Sequence, residues 1–234
     1  MKIQGSVVLV TGANRGLGLE FARQALALGA AKVYAAARDP AKVTLPGVIP
    51  VKLDVTNVAD VAALAVQCPD VTLLINNAGI GRTGGFVTGD ASALLREQME
   101  TNVYGVLNTS HAFAGILGRN GGGAILNVLS ILSWVNSSLL GAYGATKSAA
   151  WALTNGLRIE LAAQGTQVVG LHAGFIDTDM IRAFDVPKST PQDVVRQAYA
   201  AIEAGEAEVR TDEATRQVKA GLSQGVYLSD ALAG

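Results

Sequence analysis

Val7-Val8-Leu9-Val10-Thr11-Gly12-Ala13-Asn14-Arg15-Gly16-Leu17-Gly18 is the stretch that decides the fold. Val7 to Val10 is an uninterrupted apolar run, as expected of a strand buried on both faces. Glycine at 12, 16 and 18 lets the chain turn tightly and lets strand and helix backbones pack closely. From Leu17 to Leu28 the pattern is helical, with Leu17, Phe21, Ala25 and Leu28 on one stripe and Gly29 ending it. A strand that turns through glycines into a helix aims the free N–H groups of the helix start at an anion. Gly12, Asn14, Arg15, Gly16, Leu17 and Gly18 are therefore the expected phosphate cradle.

Outward from this turn, short β-branched runs alternate with longer amphipathic segments, the pattern of a parallel sheet covered on both faces. Strands are expected near Val33–Ala37, Val48–Leu53, Val71–Ile75, Ala124–Leu129, Val168–Leu171 and Glu208–Arg210. Helices are expected over Val58–Val66, Ala91–Leu117, Ala142–Ala163, Pro191–Glu203 and Asp212–Leu222. The fold class is α/β: a single-domain, Rossmann-type, doubly wound parallel sheet in three α/β/α layers. No composition break divides residues 1–234, although a cofactor-binding half (about 1–118) and a catalytic half (about 119–234) can be distinguished. Right-handed crossovers and a reversal of strand order place a crevice at the C-terminal ends of the first and fourth strands. Gly79, Ser130, Gly174 and the Thr11 turn all fall just after strands.

Half of the 234 residues are hydrophobic and 16% are charged, which excludes disorder and suits a well-buried sheet. A net charge of -1 offers no basic surface for nucleic acid or an anionic membrane. Cys68 is the only cysteine, and His111 and His172 are the only histidines, so neither a disulfide nor a metal site is expected. The N-terminus runs straight into a strand and no apolar run is long enough to span a bilayer, giving the expectation of a cytoplasmic protein.

The chemistry is carried by Ser130, Tyr143 and Lys147. A phenol with a pKa near 10 is a poor proton shuttle at neutral pH unless a neighbouring cation stabilises phenolate. Lys147, one helical turn after Tyr143, shares its face and can supply that cation. Ser130 can hydrogen-bond a substrate oxygen and stabilise charge developing there. With the glycine turn, these residues describe a nicotinamide-dependent carbonyl/alcohol oxidoreductase.

The chain resembles the short-chain dehydrogenase/reductase family, whose glycine motif is Thr-Gly-x-x-x-Gly-x-Gly. The resemblance spans nearly the whole chain and fades after about Pro187. It rests on that turn, on Leu53-Asp54-Val55-Thr56, on Asn76-Asn77-Ala78-Gly79, on Ser130 and on Tyr143 with Lys147. It implies catalytic roles for Ser130, Tyr143 and Lys147, with Asn102 as a fourth member that distorts its helix and holds a water beneath the lysine. Asp54 and Val55 are implied beside the adenine ring, Asn77, Ala78 and Gly79 along the cofactor cleft, and Gly174, Ile176 and Thr178 at the nicotinamide. There are two departures: Leu129 stands where many relatives have a second serine, and Ala173 where they have proline, which frees one dihedral.

The end of the second strand selects between the two nicotinamide cofactors, because an acid there binds the ribose hydroxyls of NAD and repels the extra phosphate of NADP. Ala37 stands at that position, followed by Arg38 and then Asp39. Arg38 and Arg15 point to NADP(H). Leu132, Trp134, Leu140, Phe175, Met180 and Phe184 flank the reactive group and suggest a hydrophobic ketone or aldehyde. Small residues around Gly105, Ala112 and Gly115, and Ala145, Ala149 and Ala152, suggest faces for a homodimer or homotetramer, an assembly that the resemblance also implies.

Overall fold

The computed structural model describes residues 1–181 and 185–231. Seven strands form one parallel sheet: β1 (Val7–Thr11), β2 (Lys32–Ala37), β3 (Ile49–Lys52), β4 (Leu73–Asn76), β5 (Ala124–Val128), β6 (Gln167–His172) and β7 (Glu208–Arg210). Their spatial order is β3-β2-β1-β4-β5-β6-β7, so the chain reverses direction across the sheet between β1 and β4. The helices are α1 (Gly16–Ala27), α2 (Val58–Gln67), α3 (Ala91–Met99), α4 (Gly105–Arg119), α5 (Gly141–Glu160), α6 (Pro191–Ala204) and α7 (Glu213–Gly221).

Successive strand residues point to opposite faces, so an unbroken apolar strand feeds two cores at once. Val8 and Val10 pack with Phe21 of α1 and with Val194, Tyr199 and Ile202 of α6. Leu9, between them, joins Val61 and Leu64 of α2, Phe113 and Leu117 of α4 and Leu157 of α5 on the other face. Tyr199, on the first face, donates its hydroxyl to the carbonyl of Phe21 at 2.7 Å. Cys68 is buried in the second core, where burial pushes its thiol up to about 12.

Side-chain caps set the helix starts. Asn57 accepts from the N–H of Ala59 and Asp60 at the head of α2, and Thr190 caps α6 with Pro191 in its first turn. The helix expected over Ala91–Leu117 is interrupted. Glu100–Tyr104 forms a π-helical turn between α3 and α4, and the inserted residue turns Asn102 into the interior, where only 1% of it is exposed. At Gly105 a β-carbon would lie 2.7 Å from a Val55 methyl, so this glycine packs inward against Val55 instead of offering an outer face to another subunit. Among the described residues no helix is long and apolar enough to cross a membrane, and no group of three potential metal ligands lies together.

Candidate active site

A cleft of about 770 Å³ follows the C-terminal edge of the sheet. The glycine turn forms one wall. A β-carbon on Gly18 would lie 2.2 Å from the Gly12 carbonyl oxygen and 2.5 Å from Asn77 Nδ2, so only glycine permits this approach of helix to strand. Gly12 itself has φ +68°, a conformation natural to glycine. Arg15, at the N-cap position of α1, makes no side-chain capping bond, leaving the helix-start amides directed at the cleft. Its guanidinium instead reaches across to Asp179 at 3.6 Å.

β4 is tied to this wall through side chains. Thr11 Oγ1 accepts from the N–H of Asn77 at 3.0 Å and of Ala78 at 2.9 Å, while Asn77 Nδ2 donates to the Thr11 carbonyl at 2.9 Å. Asn76 is buried behind them. Its Nδ2 donates to Ser110 Oγ and Asn127 Oδ1, and its Oδ1 accepts from Thr109 Oγ1 at 2.7 Å. Asn127 continues the seam to Thr154 of α5 at 2.9 Å. This satisfied polar seam holds α4, β4, β5 and α5 in one register, and polarity inside an apolar strand was its only trace in sequence.

At the end of β2, Ala37 and Arg38 line the cleft, as do Asp54, Val55 and Thr56. Asp39 does not; its carboxylate accepts from the Ala41 N–H at 3.1 Å and caps a short 3₁₀ turn. The Asp54 carboxyl, despite partial burial, is held below its ordinary range by two bonds from Thr56 and by the charge of Arg38.

Ser130, Tyr143 and Lys147 line the same cleft. Ser130 Oγ accepts from the Leu132 N–H at 3.1 Å, fixing the exit from β5. Tyr143 and Lys147 lie on successive turns of α5, with Lys147 Nζ 5.6 Å from the centre of the phenol ring. That Nζ donates to the Val128 carbonyl at 2.8 Å. Burial governs both groups: it pushes the phenol up to about 12, against the opposing bond from Ser130, and the ammonium down to about 8. In the protein alone the phenol thus stays above its usual value, because desolvation outweighs the hydrogen bond from Ser130.

Asn102, in the π turn, is locked to the loop after β4. Its Oδ1 accepts from the Ile80 N–H at 2.9 Å, and its Nδ2 donates to the Ile80 carbonyl at 2.8 Å and to Thr146 Oγ1 at 3.0 Å. A β-carbon on Gly79 would come within 3.2 Å of that Oδ1. After β6, the Gly174 N–H donates to Asp212 Oδ2 at 2.8 Å, and Asp212 also caps α7. Despite its burial, hydrogen bonds from Gly174, Thr215 and Thr211 hold the Asp212 carboxyl below its ordinary range. Gly174, Ile176 and Thr178 then line the cleft.

The residues expected at the substrate fare differently. Leu132 and Trp134 are buried outside the cleft lining; Trp134 stacks on His172 at 3.8 Å and meets Trp151 edge to face. The Ser130-capped 3₁₀ turn at Ile131–Ser133 is what directs this segment into the core. Leu140 precedes α5 and Phe175 pairs its carbonyl with the Ser189 N–H, and neither lines the cleft. The side chain of Met180 and all of Phe184 lie outside the described residues. Sequence reading missed Ile80, Arg82, Glu97, Glu100 and Thr101, which do line it, Arg82 pairing with Glu97 at 3.0 Å; Ile181, within the 175–184 segment expected to wall the pocket, lines it as well.

Comparison with known proteins accords with this geometry. The family described as short chain dehydrogenase matches residues 6–188. A short chain dehydrogenase from Burkholderia cenocepacia, solved in complex with NADP, superposes with a TM-score of 0.92 at 40% identity, covering 96% of this chain and 95% of its own. Galactitol 2-dehydrogenase (L-tagatose-forming) of Cereibacter sphaeroides is 33% identical over 76% of this chain and 74% of its own length. The 3-beta-hydroxysteroid dehydrogenase of Comamonas testosteroni is 31% identical over 83% of this chain and 80% of its own.

Proposed function

Because the chain belongs to the short-chain dehydrogenase/reductase family, we propose that it is an NADP(H)-dependent oxidoreductase that reduces a ketone or aldehyde to an alcohol, reversibly. One observation carries this reading: Ser130, Tyr143 and Lys147 face the same cleft as the glycine turn. The cleft suits a dinucleotide, since the uncapped start of α1 and the close approach at Gly18 leave backbone amides for phosphate. The presence of Arg38 at the cleft, with Asp39 turned to a capping bond, favours the phosphorylated cofactor. The similar Burkholderia protein solved with NADP supports the same choice.

When bound, the reduced cofactor supplies the hydride. Tyr143, protonated at neutral pH because its phenol lies near 12, gives its proton to the carbonyl oxygen. Ser130 Oγ donates a hydrogen bond to the same oxygen as charge grows on it. Lys147, charged below about pH 8, stabilises the phenolate left behind. Asn102 holds the Gly79–Ile80 loop that closes the cleft near the lysine.

Apolar cleft residues Val128, Leu129, Ile176 and Ile181 favour a carbonyl substrate without charge, although Trp134 and Leu132 do not contribute. Assembly through α4 and α5 is supported by exposed Leu107 and Ile159, with Tyr104 in the π turn beside them, and expected as a dimer or tetramer by light scattering. The deciding experiment follows nicotinamide absorbance with a panel of uncharged ketones, for the wild type and Tyr143→Phe. Turnover by the first and its loss in the second support the reading. Equal rates, or no turnover of any carbonyl with either cofactor, overturn it.

A further inference from the structure

Behind Ser130, on the side away from the cleft, lies an ionisable cluster with no place in the chemistry above. His172 ends β6 and is 0% exposed. Its Nδ1 lies 3.3 Å from the Ser130 carbonyl oxygen. Its ring is sandwiched against Trp134, with planes 20° apart. A β-carbon on Gly170 would approach its Nε2 to 3.3 Å, so the glycine eases the packing of the ring against the strand. Both neighbours are acceptors, but only the Ser130 carbonyl, at 3.3 Å against 3.9 Å for Glu208, is within hydrogen-bond reach, so the geometry favours the Nδ1–H tautomer. Only a proton on Nδ1 makes the contact with Ser130 a hydrogen bond.

Nε2 has no hydrogen-bond partner among the described residues and faces Glu208 Oε1 at 3.9 Å. That carboxylate, on β7, is already engaged. Lys219 of α7 donates to both its oxygens, at 2.9 and 3.1 Å, and Trp151 of α5 donates at 3.4 Å. Lys219 also lies over the rings of Trp134 and Trp151. Burial outweighs the Ser130 carbonyl and Glu208, and with the cations Lys219 and Arg158 it pushes the imidazole down to about 4. The ring is therefore neutral throughout the working range, with its single proton committed to Ser130.

We propose that His172 is a positioning residue for the reduction, its Nδ1–H holding the Ser130 carbonyl so that the Ser130 hydroxyl keeps its aim at the substrate oxygen. Within its own 3₁₀ turn, the Ser130 carbonyl accepts from the Ser133 N–H at 3.0 Å, its N–H donates to Ser133 Oγ at 3.3 Å and its Oγ accepts from the Leu132 N–H, whereas His172 reaches the same carbonyl from β6. The imidazole anchors the same residue through the backbone without occupying Oγ. This inference rests on the proposed role of Ser130, and its test separates the two.

His172→Asn keeps a nitrogen donor where Nδ1 lies, whereas His172→Gln moves the donor to the place of Nε2. The Gln variant, and His172→Leu, are expected to lose about ten- to a hundredfold in kcat with NADPH affinity unchanged, and Asn to recover most of it. Equal rates for Asn and Gln, or losses that merely track the folded fraction in a thermal melt, overturn the proposal. Nitrogen-15 NMR of the wild-type imidazole gives a readout independent of turnover: a protonated Nδ1 and a bare Nε2 between pH 6 and 8. A proton on Nε2 alone sinks the inference while leaving the Tyr143 test standing. Loss of wild-type turnover sinks the functional reading while the tautomer is still measured.

Discussion

Lys147 gives its hydrogen bond to the carbonyl of Val128 at 2.8 Å while its Nζ stays 5.6 Å from the ring centre of Tyr143. The ammonium is thus fixed by the end of β5 and acts on the phenol through space. Its charge is lost as pH rises through about 8, whereas Tyr143 keeps its proton to about 12. In the reduction direction kcat/KM is expected to fall above about pH 8, and the limb to vanish in Lys147→Arg, whose cation persists. A pH profile that is flat from 7 to 10 in the wild type contradicts the assignment.

The same burial makes a stability prediction. Lys147 titrates near 8 in the folded chain and at its ordinary 10.5 when unfolded, so between these values the unfolded chain binds more protons. Native stability from this group therefore rises with pH across that window and is lowest below it. Urea midpoints of the wild type and Lys147→Met, compared at pH 7 and 10, should differ in their pH dependence with this sign.

Arg38→Ala should weaken NADPH use by about ten- to a hundredfold, the worth of one charged hydrogen bond to phosphate, and leave NADH nearly untouched. Ratios of kcat/KM for the two cofactors give the answer directly. Parallel loss with both would mean that the guanidinium acts elsewhere.

Gly18→Ala should cost about 1–3 kcal/mol in overpacking and abolish cofactor binding, because the added methyl meets the Gly12 carbonyl and the Asn77 amide. Gly156→Ala, in α5 with nothing within 4 Å of the new carbon, should gain about 0.5–1 kcal/mol. Denaturant melts of the pair read opposite signs for one chemical change.

Asn102→Ala removes the partner of both Ile80 backbone groups and of Thr146 in a buried setting. A loss of about 2–4 kcal/mol is expected, since each orphaned buried group costs its own desolvation. Hydrogen exchange at the Ile80 amide should quicken well beyond the global change; an unchanged rate would show that the loop is held by other contacts.

The sheet was legible because Val8, Leu9 and Val10 feed both cores, and an unbroken apolar strand has no other economical use. The phosphate turn was legible from its glycines. What could not be read was direction. Trp134 and Leu132 follow Ser130 closely in sequence, but one 3₁₀ turn sends them into the core, and nothing local encodes which way that turn faces. The helical period alone shows only a polar residue at Asn102; the distortion there was expected from the family resemblance, while its partners on the distant Ile80 backbone were not legible. Arg82 and Glu97 reach the cleft from separate elements and share no spacing that would announce them.

Asp212 clasps the Gly174 amide from 38 residues further along the chain. During synthesis, the wall after β6 must therefore wait for β7 and the head of α7 to leave the ribosome. A growing polypeptide therefore assembles its phosphate cradle before the wall that completes the pocket.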